Sequence, residues 1–340
     1  MAEATRGLKR APHRRIGGMK AVVADPTGGP ENLQSMELPT PTPGEGEVLI
    51  KLQAIGVNFI DVYFREGLYR APERPVRLGN EGAGTVEAVG KGVHLRPGQR
   101  VAYAMARGSY AEYATVPAKF VVEVPDSVSL DDTAAVMLQG MTAHYLTHST
   151  FKLERGNTCL IHAAAGGAGL LTVQMAKIAG ATVIGTCSTE AKAQLAREHG
   201  ADHMILYTKQ DFLEEVKRIT GGKGVAVVYD SVGKTTFHKG LDCLSPRGMM
   251  VSFGQSSGPV GEMDPLLLSQ KGSLFLTRPS LANYISSRDE LDWRASDIFK
   301  WIGEGRLRLQ IHKTYKLEDA AQAHRDLEGR KTTGKLLLKP

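Results

Sequence analysis

The stretch with the plainest chemistry is HAAAGGAGLL, from His162 to Leu171. Small residues let a backbone approach a pyrophosphate closely, and the N-terminus of a following helix faces its negative charge. Against the pattern GxGxxG the loop reads Ala164, Gly166, Gly169, with alanine in first place. Ala165, Gly166, Gly167, Ala168 and Gly169 are therefore the expected cofactor contacts. A tight turn without a ligand would use similar residues. Here, however, a strand-like TCLIHAA precedes the loop and a helical LLTVQMAKIAG follows it, which is the setting a dinucleotide needs. The next strand, TVIGTC, runs into Ser188 and Thr189. An NAD site places an acid near that tip to hold the ribose hydroxyls. None stands there, and Lys192 follows. An ammonium attracts a 2′-phosphate that a carboxylate would repel, so the expected dinucleotide is NADP(H), with Ser188 and Lys192 among its contacts. Glu190 opposes this unless it turns away on its helix.

A second stretch, VRLGNEGAGTVEAVG (Val76–Gly90), places Asn80 between a turn glycine and a glutamate. A histidine in that setting would suggest zinc, which a neutral imidazole binds well and an amide poorly. The three cysteines, Cys159, Cys187 and Cys243, form no CxxC pair. That excludes a disulfide framework and a four-cysteine zinc site, and a reducing cytoplasm is the natural compartment. His144 and His148 stand four apart without the glutamate of HExxH, so they read as packed or exposed helix residues. No GxSxG elbow supports a serine hydrolase.

These residues need elements to hold them. From Lys20 to about Gly140, EVLIKLQAIGVN, GAGTVEAVG, GQRVAYA and GSYAEYATVP read as short strands with Gly and Pro between, a barrel-like β domain. Ser129 and Asp132 mark a helix start. Strand and helix then alternate through VVYD and GMMVSFG, which predicts a doubly wound parallel sheet. The last strand, GKLLLKP, needs a partner and is expected to return to the first domain. The 340 residues suggest two domains, and 42% hydrophobic with 23% charged residues suits a soluble globular chain. No apolar run approaches the ~18 residues that would span a bilayer. Of the net charge of +6, residues 1–18 carry +4. They read as a solvated, disordered extension, or as a basic tail for RNA or acidic lipid. The nearly balanced body argues against a broad nucleic-acid surface.

Six ordered motifs, VNFIDVYFREGLY, LGNEGAGTVEAVG, HAAAGGAG, VVYDSVG, MVSFGQSSG and TRPSL, together resemble the zinc-independent quinone oxidoreductases. These zeta-crystallin relatives belong to the medium-chain dehydrogenase/reductase superfamily. The resemblance covers the chain from Met19 to Pro340. It implies an α/β protein with a GroES-like β-barrel catalytic domain (19–141 and 280–340) and an inserted Rossmann domain (142–279). It also implies an NADPH site between the two, and a homodimer through the Rossmann sheets. Asn58 and Asn80 look like the positions that hold the catalytic metal in zinc alcohol dehydrogenases, and the four-cysteine lobe is absent. No metal is expected.

The implied activity is NADPH-dependent quinone reduction. A quinone is already electron-poor and needs no Lewis acid. Asn58 offers an amide to a carbonyl of the nicotinamide or quinone, or caps a turn. Tyr63 and Tyr69 offer flat faces and hydroxyls to the substrate, or pack. Thr142 is expected near the nicotinamide. Tyr207 lies under the adenosine end or at a core edge. Ser231, Val232, Phe253, Gly254 and Ser256 follow strand ends, where ligands gather in such sheets. Arg278 reaches the cofactor or the dimer edge, and Lys335 is a further cofactor candidate. Two other functions fit: reduction of an activated C=C bond in an enone or enoyl thioester, with Tyr69 as proton donor, and non-catalytic NADPH binding coupled to RNA.

Overall fold

The computed structural model describes residues 17–340. The disordered extension expected at 1–18 lies, up to residue 16, outside the described residues, and Gly18 already begins the first strand.

The first lobe is built by β1 (Gly18–Ala24), β2 (Leu33–Pro39), β3 (Glu47–Val57), β4 (Val76–Arg77), β5 (Glu81–Val89), β6 (Arg100–Ala104), β7 (Tyr113–Pro117) and β8 (Val121–Glu123). Two helices join these strands: α1 (Phe59–Glu66), and α2 (Leu130–Tyr145), at whose expected start Ser129 Oγ accepts from the Asp132 amide at 3.0 Å. Glycine allows the tight strand contacts here. A Cβ on Gly84 would overlap the backbone of Lys51 on the neighbouring strand, and one on Gly56 would overlap the Glu81 carboxylate.

The second lobe alternates β9 (Thr158–Ile161), α3 (Gly167–Ile178), β10 (Thr182–Cys187), α4 (Glu190–Glu198), β11 (His203–Leu206), α5 (Phe212–Thr220), β12 (Val225–Asp230), α6 (Phe237–Leu241), β13 (Leu244–Ser252), α7 (Leu266–Gln270) and β14 (Phe275–Thr277). Its six strands are all parallel, in the order β11-β10-β9-β12-β13-β14. β9 and β12, central and covered on both faces, run almost wholly apolar and buried, as such strands must.

The chain then returns through α8 (Leu281–Tyr284), α9 (Arg288–Gly303), β15 (Ile311–Lys316), α10 (Ala320–Glu328) and β16 (Lys335–Lys339). β16 pairs antiparallel with β3, Leu336 opposite Val57 and Leu338 opposite Ile55, and parallel with β15. The final strand thus completes the first lobe's sheet, as the sequence leads one to expect. α2 packs on β3, β5 and β6 of one lobe and on α3 of the other, so it forms the spine between them.

Candidate active site

The strand order reverses between β9 and β12, and a crevice opens outside their carboxyl ends, where doubly wound sheets bind ligands. The crevice continues against α1 and α2 as one cleft of about 950 Å³.

At its floor the glycine loop turns from β9 into α3. Its left-handed residue is Ala163 (φ 52°), one place before the alanine that stands for the first glycine of the pattern. Gly169 cannot be larger, because its Cβ would overlap the Ala163 carbonyl. The first N–H groups of α3 have no intrahelical partner, and Gly166, Gly167, Ala168 and Gly169 line the cleft there. Ala165 lines it too, and its carbonyl accepts from the Gly334 amide at 3.2 Å, which draws the C-terminal segment against the loop.

Beyond the loop lie Ser188, Lys192 and the half-exposed Tyr207. Thr189 caps α4 through the Lys192 amide (3.3 Å) and so fixes where that lysine starts. Lys192 Nζ donates to the Arg330 carbonyl at 2.6 Å, and Arg330 itself lines the cleft beside it. Two cations therefore face the adenosine end. Glu190 is held by Arg197 at 2.6 Å along its own helix, and so does not oppose them.

At the tips of β12 and β13, Asp230 Oδ1 accepts from the amides of Val232 (2.7 Å) and Gly233 (3.0 Å) and shapes the DSVG turn. Ser231, Val232, Phe253, Gly254 and Ser256 follow these tips and line the cleft. A side chain on Gly254 would crowd the Ser231 backbone. Arg278 anchors one guanidinium N–H on the Ser252 carbonyl at 2.7 Å and also lines the cleft.

The other end is made by α1 and α2. Tyr63 and Tyr69 meet edge to face with ring centroids 5.3 Å apart. The Tyr63 hydroxyl accepts from the Gln255 amide at 3.1 Å, across the cleft, and burial pushes its pKa up. Gln139, Thr142 and Tyr145 stand three apart on α2, and all line the cleft. Tyr145 is buried and stacked on Tyr284 at 4.3 Å. The sequence reading found Thr142 and missed Gln139 and Tyr145, although helical spacing puts the three on one face.

Two expectations change. Asn58 lines the cleft, but its amide is engaged. Nδ2 donates to Glu81 Oε2 (2.8 Å) and lies 3.4 Å from the Gly56 carbonyl, while Oδ1 accepts from Lys335 Nζ (2.8 Å) and Gln139 Nε2 (3.2 Å). Donation to a ligand carbonyl would break one of these bonds. Lys335 does not line the cleft. It is 2% exposed, turned behind Asn58 onto Glu81, because it opens a strand whose near face is the lobe interior. The C-terminal cation that reaches the cleft is Arg330.

Asn80 is the counterpart of Asn58. Its Nδ2 donates to Asp61 Oδ1 at 2.8 Å, and Asp61 Oδ2 accepts from the Asn58 amide N–H at 2.9 Å. Asp61 is wholly buried, and desolvation raises its pKa to about 7. Glu81, left without a specific role by the sequence, accepts from Lys335, Asn58 and the Leu138 amide. Among the described residues no three His, Cys, Asp or Glu gather as metal ligands. The donor set is two amides bound to two carboxylates, poor chemistry for zinc. The cleft suits a dinucleotide better: a small-residue cradle at a helix N-terminus, two cations beyond it and aromatic rings at the far end.

A GroES-like lobe and a Rossmann lobe around such a cleft define a medium-chain dehydrogenase/reductase. Residues 44–126 match the alcohol dehydrogenase GroES-like domain and residues 167–295 the zinc-binding dehydrogenase family. A quinone oxidoreductase of Pseudomonas aeruginosa is 46% identical over 315 residues, 92% of this chain and 97% of that one. A 2-haloacrylate reductase of Burkholderia is 45% identical over 331 residues, 94% and 98% of the two chains. The crystal structure of Escherichia coli quinone oxidoreductase complexed with NADPH superposes with a TM-score of 0.93 at 45% identity, covering 94% of this chain and all of that one. The chain belongs to the quinone oxidoreductase family.

Proposed function

We propose that the protein is an NADPH-dependent quinone reductase. The observation that carries this is one continuous cleft joining the glycine cradle and the Lys192–Arg330 cations to the Tyr63–Tyr69 wall. The bound nicotinamide supplies the electrons. The cradle, Ser188 and Lys192 hold its phosphates and ribose. Thr142, Ser231, Val232, Phe253, Gly254, Ser256, Tyr207 and Arg278 position the rest. Tyr63 and Tyr69 offer ring faces to a flat acceptor and help exclude water. Asn58 is the polar part of that wall, set by Glu81 and Lys335. Titration with NADPH and NADH, using 1,4-benzoquinone and 9,10-phenanthrenequinone as acceptors, tests the reading. Metal analysis belongs on the same sample, and stoichiometric zinc overturns the metal-free part.

The 2-haloacrylate reductase among the relatives favours a second reading, reduction of an activated C=C bond with Tyr69 as proton donor. A panel of enones separates the two. Turnover of enones without quinones would replace the first reading, and Tyr69→Phe is expected to slow enones more than quinones.

We further propose residues 19–141 with 280–340 as the catalytic domain and 142–279 as the cofactor domain. A homodimer is proposed through the outer strand β14, where Phe275 is 57% and Leu276 38% exposed, with Leu266 (57%) nearby. Among the described residues no helix is long and apolar enough to cross a membrane. A cytoplasmic location belongs to the same proposal and fits three free, buried cysteines.

A further inference from the structure

Tyr63 and Tyr69 face the cleft side by side, but they are not held alike. Tyr63 sits within α1, and its hydroxyl is pinned by the Gln255 amide from the other lobe. Tyr69 lies beyond the helix, past Gly67 (φ 83°), and its amide donates to the Tyr63 carbonyl at 3.0 Å. From there to β4 the chain forms neither helix nor strand. Among the described residues, one side chain alone hydrogen-bonds residues 70–75 to the rest of the molecule: Arg107, on Glu73.

That contact is a fork. Arg107 Nε donates to Glu73 Oε1 at 3.1 Å and Nη2 to Oε2 at 2.6 Å, with the two side chains 22% and 34% exposed. Most surface ion pairs hold little, but a doubly bonded, partly buried arginine–carboxylate pair fixes the geometry of both partners. The guanidinium carbon also lies 4.9 Å from the centre of the Phe64 ring, whose face attracts a cation. Phe64 in turn meets Tyr69 edge to face at 5.6 Å. One guanidinium thus grips the segment after Tyr69 with its edge and, with its face, the ring on which Tyr69 rests.

Arg107 itself starts from a fixed backbone. On one side the Met105 amide donates to the Asn80 carbonyl at 2.7 Å, and on the other the Gly108 amide donates to the Gly79 carbonyl at 2.8 Å. Met105 lines the cleft, whereas Phe64, Glu73 and Arg107 stand behind its wall.

We propose that Arg107 and Glu73 are positioning residues for the flat acceptor: they clamp the segment after α1 so that Tyr69 keeps its ring against the bound quinone. The inference rests on the quinone-reductase reading of the cleft.

Steady-state kinetics with 1,4-benzoquinone and a fluorescence titration of NADPH test this on the full chain. Arg107→Met and Glu73→Gln are each expected to raise the acceptor KM about fivefold with kcat within about twofold, the pattern of lost acceptor binding. NADPH binding should stay within about twofold of wild type, since neither residue lines the cleft. Arg107→Lys keeps the charge but neither the fork nor the flat face, and should resemble Arg107→Met. The double variant should be no worse than either single one, because the two residues act as a unit. Amide exchange across residues 67–75 should quicken in the variants while α1 keeps its wild-type rates. Variants that keep the wild-type acceptor KM overturn the proposal. So do a parallel loss of NADPH binding and additive losses in the double variant. If wild type reduces quinones in none of these assays, the activity reading falls, and this inference with it.

Discussion

The ammonium of Lys335 stands 2.5 Å from Oε2 of Glu81, with the two side chains 3% and 0% exposed. One comes from the last strand and the other from β5, 254 residues earlier. Both also bond Asn58, so the wall of the cleft and the closure of the first lobe share one buried ion pair.

Removing one partner of such a pair leaves an uncompensated buried charge. Lys335→Met is expected to lower unfolding free energy by about 3–5 kcal/mol, measured by urea denaturation. The double variant Glu81→Gln with Lys335→Met should recover a large part of that loss. Equal losses in the single and double variants would show that the charge is not the cause.

Lys192→Ala is expected to weaken NADPH binding about 10- to 100-fold and to leave NADH binding within about twofold, because only the phosphorylated ribose offers an anion to the ammonium. Titration of both nucleotides decides this. Equal loss for both would remove the 2′-phosphate role. Arg330→Ala should show the same asymmetry, since Arg330 lines the cleft alongside Lys192 and brings a second cation there.

Asp61 predicts a pH signature. Desolvation raises its carboxyl from 3.8 to about 7 in the folded protein. Such a group holds its proton more tightly folded than unfolded. Its contribution to stability is fully present below about 3.8 and is lost as the pH climbs through about 7. Stability should therefore fall across that window, by at most roughly 4 kcal/mol from this group. Denaturant midpoints at a series of pH values should show the slope in wild type and a flatter profile in Asp61→Asn. A ¹³C titration of the Asp61 carboxyl should give a midpoint near 7, and one near 4 would contradict the assignment.

The dimer proposed through the edge strand β14 has a direct test. Phe275→Glu is expected to shift the protein from dimer to monomer in sedimentation velocity, while its thermal unfolding in the monomeric state changes little. A charge on an exposed edge strand opposes pairing there without disturbing the interior.

Local patterns carried the fold. The loop at His162–Leu171, the parallel alternation and the unpartnered final strand each depend on neighbours in sequence, and each stands where those neighbours suggest. A residue's placement in the cleft was legible wherever it follows from a strand tip, as for Ser231 or Gly254. It was less so where a role depends on a distant partner. Nothing near Asn58 tells that its amide is taken by a lysine 277 residues away. Arg330 precedes the last strand and Lys335 opens it, and the sequence does not tell that the first lines the cleft while the second is buried on Glu81. Gln139 and Tyr145 were within reach, since the α2 face that carries Thr142 carries them too.

The placement of β16 also sets a timetable for the chain on the ribosome. Its five residues are made after every strand of the second lobe, whereas β3, which they flank, is made before all of them. The second lobe, contiguous from β9 to β14, has every strand it needs before β16 is made. Domains fold as units while the chain emerges. The second lobe can therefore form while the first still waits with an open edge beside β3, and the wall around Asn58 is set only when Lys335 arrives.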